Sequence, residues 1–187
     1  MIRRPPRSTL SSSSAASDVY KRQEILHPKF VPWSFQQVVG DEESNVDTTD
    51  NFQFSYTILP ETLYYPCLIA LFDKMDMEVH FRLKVNLNPK AAQIVEHGYH
   101  IDLPLPQSKT AVFYLNTNNG YTAFETGQKV ESVANRIVMF DSHIRHTGTT
   151  CTDAIAREVL NINYMPKDTP PLAPVLTEEP PTLERVY

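Results

Sequence analysis

Residues 79–87 hold the pattern that most restricts the fold. Val79, Phe81, Leu83, Val85 and Leu87 alternate with His80, Arg82, Lys84 and Asn86, a strict period of two over nine residues. An extended strand sorts such a run into one apolar face for a core and one polar face. Asn88-Pro89 ends it. Residues 110–115 predict a second apolar strand, closed by Asn116-Thr117-Asn118-Asn119-Gly120, a turn by its Asn and Gly content. Residues 121–125 and 129–133 predict short strands around Thr126-Gly127, and residues 137–140 and 159–164 two more. Upstream, Gln53-Phe54-Ser55-Tyr56-Thr57-Ile58 also alternates. Residues 63–77 carry Leu68, Leu71, Phe72 and Met75 at helical spacing, with Pro66 near the start. That helix is read as structural, covering one side of the sheet. Many short strands with turn signals and one early helix predict a mainly β sandwich or jelly roll.

The chain of 187 residues suits one domain with a real core. Its 41% apolar and 21% charged residues are those of a soluble globular protein. No apolar run reaches the length that crosses a bilayer, so no membrane partner is expected. Cys67 and Cys151 could close one disulfide at most. A reduced, cytoplasmic protein is expected, and neither cysteine has a second ligand at zinc-finger spacing. The net charge of −5 hides an asymmetry. Residues 1–23 hold Arg3, Arg4, Arg7, Lys21 and Arg22 against Asp18, leaving 12 basic and 21 acidic residues on the rest, or −9. A body this acidic is a poor general binder of nucleic-acid phosphates.

Residues 1–23 are basic, serine-rich and without periodicity. An Arg/Ser-rich transit peptide is one reading. The string more closely resembles translated sequencing-adapter read-through from assembled environmental DNA, a non-native tail after which the natural chain begins near Gln23. Residues 24–60 gather Phe30, Trp33, Phe35, Phe52, Phe54 and Tyr56 around an acidic insert over 41–51, a surface loop by composition. From Pro166 the chain is Pro- and acid-rich. The expected organisation is a tail over 1–23, a β domain over 24–165 and a disordered tail over 166–187.

Chemistry concentrates in Gly98-Tyr99-His100-Ile101-Asp102, in Phe140-Asp141-Ser142-His143-Ile144-Arg145-His146-Thr147-Gly148, and in Arg157. Two residues apart on an extended segment, His100 and Asp102 point the same way while Ile101 turns to the core. Imidazole with a hard carboxylate suits Fe(II) or Mn(II), and two imidazoles with one carboxylate on one face of an ion leave the opposite positions open. His146, followed by the Thr147-Gly148-Thr149-Thr150 turn, is the preferred second imidazole, with His143 a solvent-facing neighbour. Arg157 opens the last strand. An inward arginine is expensive unless a fixed anion meets it, and its guanidinium is shaped for bidentate capture of a carboxylate. Taken alone, Arg157 reads as a surface ion pair, and Asn86 and Asn163 as polar strand filler, with contact to 2-oxoglutarate or substrate as the alternative.

Residues 81–164 resemble the prolyl-4-hydroxylase-like and viral branch of the Fe(II)- and 2-oxoglutarate-dependent oxygenases. The likeness is carried by Arg82 to Pro89 leading to His100-Ile101-Asp102, and by Thr110-Ala111-Val112-Phe113-Tyr114-Leu115-Asn116. It continues through the Gly120-Tyr121-Thr122-Ala123-Phe124 hairpin and Asn135-Arg136-Ile137-Val138-Met139-Phe140-Asp141 before His146. The resemblance implies a double-stranded β-helix, that is, a cupin-like jelly roll, in which His100, Asp102 and His146 hold iron. It implies that Arg157 binds the far carboxylate of 2-oxoglutarate, that Tyr114 shares it, a core tyrosine being the equal alternative, and that Thr110, four residues earlier on the same strand face, lines the same pocket. It also implies O2 as co-reactant, ascorbate in support, and hydroxylation of a C–H bond in a peptide, prolyl peptides included, or a small molecule, with release of succinate and CO2. A viral member would act in the host-cell cytoplasm. The chain departs from the family at the hairpin, where Gly120-Tyr121 stands for a glycine pair, and in the gap of eleven residues from His146 to Arg157. Substrate choice would fall to the loops around Tyr99, 103–109 and 36–51. Two other readings stay open: a cupin-like metal enzyme without 2-oxoglutarate, and a non-catalytic jelly-roll binding or virion protein.

Overall fold

The computed structural model describes residues 31–37, 39, 51–62, 65–167 and 169–170. The readings made for residues 1–23, Phe30, the acidic insert over 41–50, the helix start at 63 and the tail beyond 170 lie outside the described residues.

The described chain is mainly β. In order, it forms β1 (Ser34–Gln36), β2 (Gln53–Thr57), a 3-10 turn (Tyr65–Leu68) running into α1 (Ile69–Lys74), and then β3 (Met77–Pro89). After these come β4 (Lys109–Tyr114), β5 (Tyr121–Phe124), β6 (Lys129–Glu131), β7 (Ile137–Asp141), β8 (His146–Gly148) and β9 (Ala156–Pro166). A six-stranded sheet runs β1-β2-β3-β9-β4-β7, and a three-stranded sheet runs β6-β5-β8. All strand pairs are antiparallel. Isolated bridges from Glu96 to Thr149 and from His100 to His146 lay the segment before Asp102 along the free edge of the small sheet. The result is a jelly roll of the double-stranded β-helix kind, with one short helix in support.

One face of the large sheet carries the core. Leu83 and Val85 of β3, Ala111 and Phe113 of β4, Ile137 of β7 and Leu160, Ile162 and Tyr164 of β9 form one cluster with Tyr56, Ile58, Leu68, Leu71, Phe72 and Met75. The helix therefore covers the large sheet, as its apolar spacing predicts. The opposite face of the same strands is polar because it looks toward the small sheet and lines a cavity.

The alternation expected over residues 79–87 holds only from Arg82 onward. Val79 and Phe81, expected in the core, are 50% and 45% exposed. The β3–β9 register shifts between Met77 and Val79 and again between His80 and Arg82. Each shift inserts one extra residue, and a bulge resets which side chains point inward. His80 takes the inward place instead, stacked on Phe72 at 6.0 Å between ring centroids. Cys67 and Cys151 are both free thiols. No helix among the described residues is long and apolar enough to cross a membrane.

Candidate metal centre

His100, Asp102 and His146 arrive from different places in the chain and meet at the open edge between the sheets. The peptide groups of His100 and His146 bond to each other in both directions at 3.0 Å, which fixes the two residues side by side. One ligand atom from each of His100, Asp102 and His146 lies within 4.8 Å of the other two. Asp102 Oδ2 is 3.7 Å from His146 Nε2 and Oδ1 is 3.9 Å from His100 Nε2. The Asp102 and His146 side chains are almost wholly buried, and His100 is partly open. His143 is exposed and stands outside the group.

Hydrogen bonding sets the imidazole tautomers. His100 Nδ1 meets Gly98 O at 3.1 Å, and His146 Nδ1 meets Ile144 O at 3.0 Å. A carbonyl only accepts, so each Nδ1 carries a proton and Nε2 is the nitrogen left facing Asp102. That is the state an imidazole needs to bind an ion, held in place by a second partner. The His146 ring also packs edge-on against Phe140, with centroids 4.7 Å apart. Burial lowers the His146 pKa, the Asp102 carboxylate acting in the opposite sense, so the ring favours its neutral form.

Asp102 is clamped. Arg82 Nη2 donates to Oδ1 at 2.6 Å and Asn163 Nδ2 donates to Oδ2 at 3.2 Å. Arg82 Nε donates to Asn163 Oδ1 at 2.8 Å, and Asn163 Nδ2 also reaches Thr110 Oγ1 at 2.9 Å. Burial alone would raise the Asp102 pKa. The facing His146, Arg82 and His100 and the Asn163 bond outweigh it and hold the carboxyl below its usual range. Two imidazole nitrogens and an ionised carboxylate oxygen, each oriented by a further contact, fit a hard divalent ion with open positions.

Ile101 was expected in the core but is 37% exposed, on the cavity wall. The ladder stops at the His100 bridge, so the period of two no longer decides where the next side chain goes.

The cavity beside the triad has a volume of about 220 Å3. Arg157 lines it, 2% exposed. Its Nε donates to Ser132 Oγ at 2.8 Å and its Nη2 to Thr122 Oγ1 at 3.0 Å. Among the described residues no carboxylate pairs with it, which removes the reading of Arg157 as an ordinary ion pair there. Burial lowers the Arg157 pKa, the expected sign for a cation taken from water without an anion. Thr110 and Tyr114 are fully buried behind the cavity wall rather than on it. The Tyr114 hydroxyl donates to Thr122 Oγ1 at 2.8 Å, and its ring lies 5.6 Å from the Arg157 guanidinium carbon. Tyr114 therefore braces the hydroxyl that receives Arg157.

The hairpin departure has a local explanation. A Cβ at Gly120 would sit 2.7 Å from Thr150 O and 2.7 Å from Arg157 Cδ, so glycine is required there. At Tyr121 there is room for a side chain. Its hydroxyl reaches Glu96 Oε2 at 3.0 Å, and Lys129 Nζ lies 4.1 Å above its ring.

Comparison with solved structures bears on the fold. A prolyl hydroxylase from Trichoplax adhaerens, solved with a hypoxia inducible factor oxygen degradation domain peptide fragment, superposes with a TM-score of 0.53 at 15% identity. The match covers 82% of this chain and 79% of that one. AviO1 from Streptomyces viridochromogenes gives a TM-score of 0.54 at 15% identity, over 86% and 88% of the two chains. The shared feature is the fold. No family model and no curated protein matches the sequence.

Sequence reasoning missed the role of Arg82, read only as part of the polar strand face, and weighed Asn163 as filler or a cosubstrate contact rather than as the partner of Asp102 and Arg82. It also passed over His97. That side chain is 2% exposed, with Nδ1 2.9 Å from Asn51 Oδ1 and Nε2 3.2 Å from Asn88 Nδ2.

Proposed function

We propose that this chain is an Fe(II)- and 2-oxoglutarate-dependent dioxygenase that hydroxylates a C–H bond of a peptide or small-molecule substrate. The observation that carries the reading is Arg157: a buried guanidinium without a carboxylate partner among the described residues, in the same cavity as the His100, Asp102 and His146 group. A cupin-like enzyme that dispensed with 2-oxoglutarate would leave that cation buried and unmet, at a cost of several kcal/mol on general grounds.

On this reading His100 Nε2, His146 Nε2 and one Asp102 oxygen hold the metal. When bound with 2-oxoglutarate and O2, the iron supplies C–H hydroxylation with release of succinate and CO2. The chain's own work is placement. Arg157 fixes the far carboxylate of the cosubstrate, and Ser132 and Thr122 fix Arg157. Val112 and Val159 give the cavity wall an apolar patch. Arg82 and Asn163 keep Asp102 ionised and aimed. A peptide substrate is suggested by the peptide bound to the Trichoplax hydroxylase.

The test is an anaerobic titration of the purified protein with Fe(II) and 2-oxoglutarate, following the visible metal-to-ligand charge-transfer band. A band in the wild type that disappears in His146→Ala, and that needs more 2-oxoglutarate in Arg157→Ala, is the expected result. Folded, iron-loaded protein with no band would overturn the cosubstrate assignment.

A further inference from the structure

The cavity contains a second cation that no carboxylate among the described residues meets. Lys84 lines the wall two residues from Arg82 on the same face of β3. Its Nζ reaches Gln36 Oε1 at 3.1 Å, a neutral acceptor, and no carboxylate among the described residues pairs with it. Burial first, then the neighbouring Arg82 cation, lower the Lys84 pKa, with Asp102 pulling weakly the other way. Arg82 is already engaged by Asp102 and Asn163, so it adds repulsion at Lys84 without relieving it. Two like charges on one half-buried strand face are unfavourable until an anion arrives.

The surrounding wall is polar in the same sense. Arg82, Lys84 and Arg157 face the cavity, while Asp102 is the one acid among its described lining residues. This stands inside a chain whose net charge is −5.

We infer that Lys84 is a substrate subsite: it binds the carboxylate of a small polar substrate held in the cavity. The inference rests on the dioxygenase reading in one respect. There the distal carboxylate of 2-oxoglutarate is assigned to Arg157, which leaves Lys84 for a different anion. A substrate whose recognised end is apolar would leave Lys84 without an anion in the bound state, a penalty that selects against it.

The experiment uses protein loaded with Fe(II) and saturated with 2-oxoglutarate without O2. L-glutamate, L-proline and their carboxamide counterparts, in which the α-carboxylate is neutralised, are titrated by calorimetry. At least one free acid should bind wild type, with its carboxamide about tenfold weaker or worse, as expected for loss of a charge-assisted bond. Lys84→Gln should lose the same factor while keeping the charge-transfer band, and Lys84→Arg should recover most of it. The band thus reports the dioxygenase reading separately from the subsite, and shows that the variant is folded. Equal binding of acid and carboxamide, unchanged binding in Lys84→Gln, or no binding of any of these probes to a protein that shows the band would overturn the subsite. Lys84-dependent carboxylate binding in a protein with no band would keep the subsite and overturn the cosubstrate assignment instead.

Discussion

Arg82 Nη2 lies 2.6 Å from Asp102 Oδ1 while Arg82 Nε lies 2.8 Å from Asn163 Oδ1, so one guanidinium holds both the carboxylate and the amide that bonds its other oxygen. The carboxylate has a donor on each oxygen and little freedom to rotate. Metal ligands depend on such outer contacts, whose loss typically costs 10- to 100-fold in affinity. Asn163→Leu removes a neutral contact and is expected to weaken Mn(II) or Fe(II) binding by about tenfold or more in anaerobic calorimetry. Arg82→Gln should do the same. If repulsion between Arg82 and the ion outweighed positioning, Arg82→Gln would bind tighter than wild type, and the clamp reading would fail for that residue. The two changes share one network and should not add.

Arg157 yields a prediction that needs no metal. Glutarate has the two carboxylates of 2-oxoglutarate without the keto group, so the anchor end alone can be tested on metal-free protein. A ligand at 100 times its Kd stabilises by about 2.7 kcal/mol, a shift of several degrees in Tm for a domain of this size. Saturating glutarate should raise the Tm of the wild type by that order and leave Arg157→Met unmoved. Equal shifts in both would show that the dicarboxylate sits elsewhere.

Much of this architecture was legible in the sequence, and the misses share one cause. The pleat makes alternation readable, so β3, β4 and β9 and the covering helix were placed from residue order alone. Alternation says nothing about a bulge. Two extra residues in β3 turned Val79 and Phe81 outward and brought His80 in. The triad was readable because its members carry rare chemistry in a fixed order. Their supports were not, because Arg82 and Asn163 are ordinary polar residues on strands. They meet only when β3 pairs with β9, and they stand 81 positions apart in the chain. Ile101 was misplaced for a related reason, since its neighbour His100 makes only an isolated bridge and no regular ladder runs through 101.

The two glycines beside Arg157 should respond differently. A Cβ at Gly120 would meet the Thr150 carbonyl oxygen at 2.7 Å and Asn118 Oδ1 at 2.8 Å, neighbours that cannot step aside cheaply. Gly120→Ala is expected to destabilise by about 1–3 kcal/mol in urea unfolding, the usual range for overpacking. At Gly148 the added carbon would meet only Arg157, with Nη1 at 3.1 Å, the one guanidinium nitrogen that neither Ser132 nor Thr122 holds. Gly148→Ala should keep nearly all stability and instead weaken 2-oxoglutarate binding by displacing the guanidinium. Similar unfolding midpoints for the two variants would contradict this account.

His97 gives the acid response a defined sign. Its ring is buried, Nδ1 facing the Asn51 amide oxygen and Nε2 the Asn88 amide nitrogen, and both contacts suit the neutral form. Burial, then the nearby Arg157 and His100 charges, lower its pKa from 6.5 to about 4. The unfolded chain therefore binds the proton that the folded chain refuses between about pH 6.5 and 4. Stability falls as pH drops through that window, by about 3 kcal/mol once below it, and is regained on return to neutrality. His80 and His146 are shifted downward as well and act in the same direction, so the total slope is not that of His97 alone. The difference between wild type and His97→Gln isolates its share. Urea midpoints measured on metal-free protein at pH 7 and pH 4.5 should converge, the variant being less stable at pH 7 and losing less on acidification. Parallel losses in the two proteins would mean that His97 accepts its proton without cost in the folded state, and that its pairing with Asn51 and Asn88 does not hold the ring neutral.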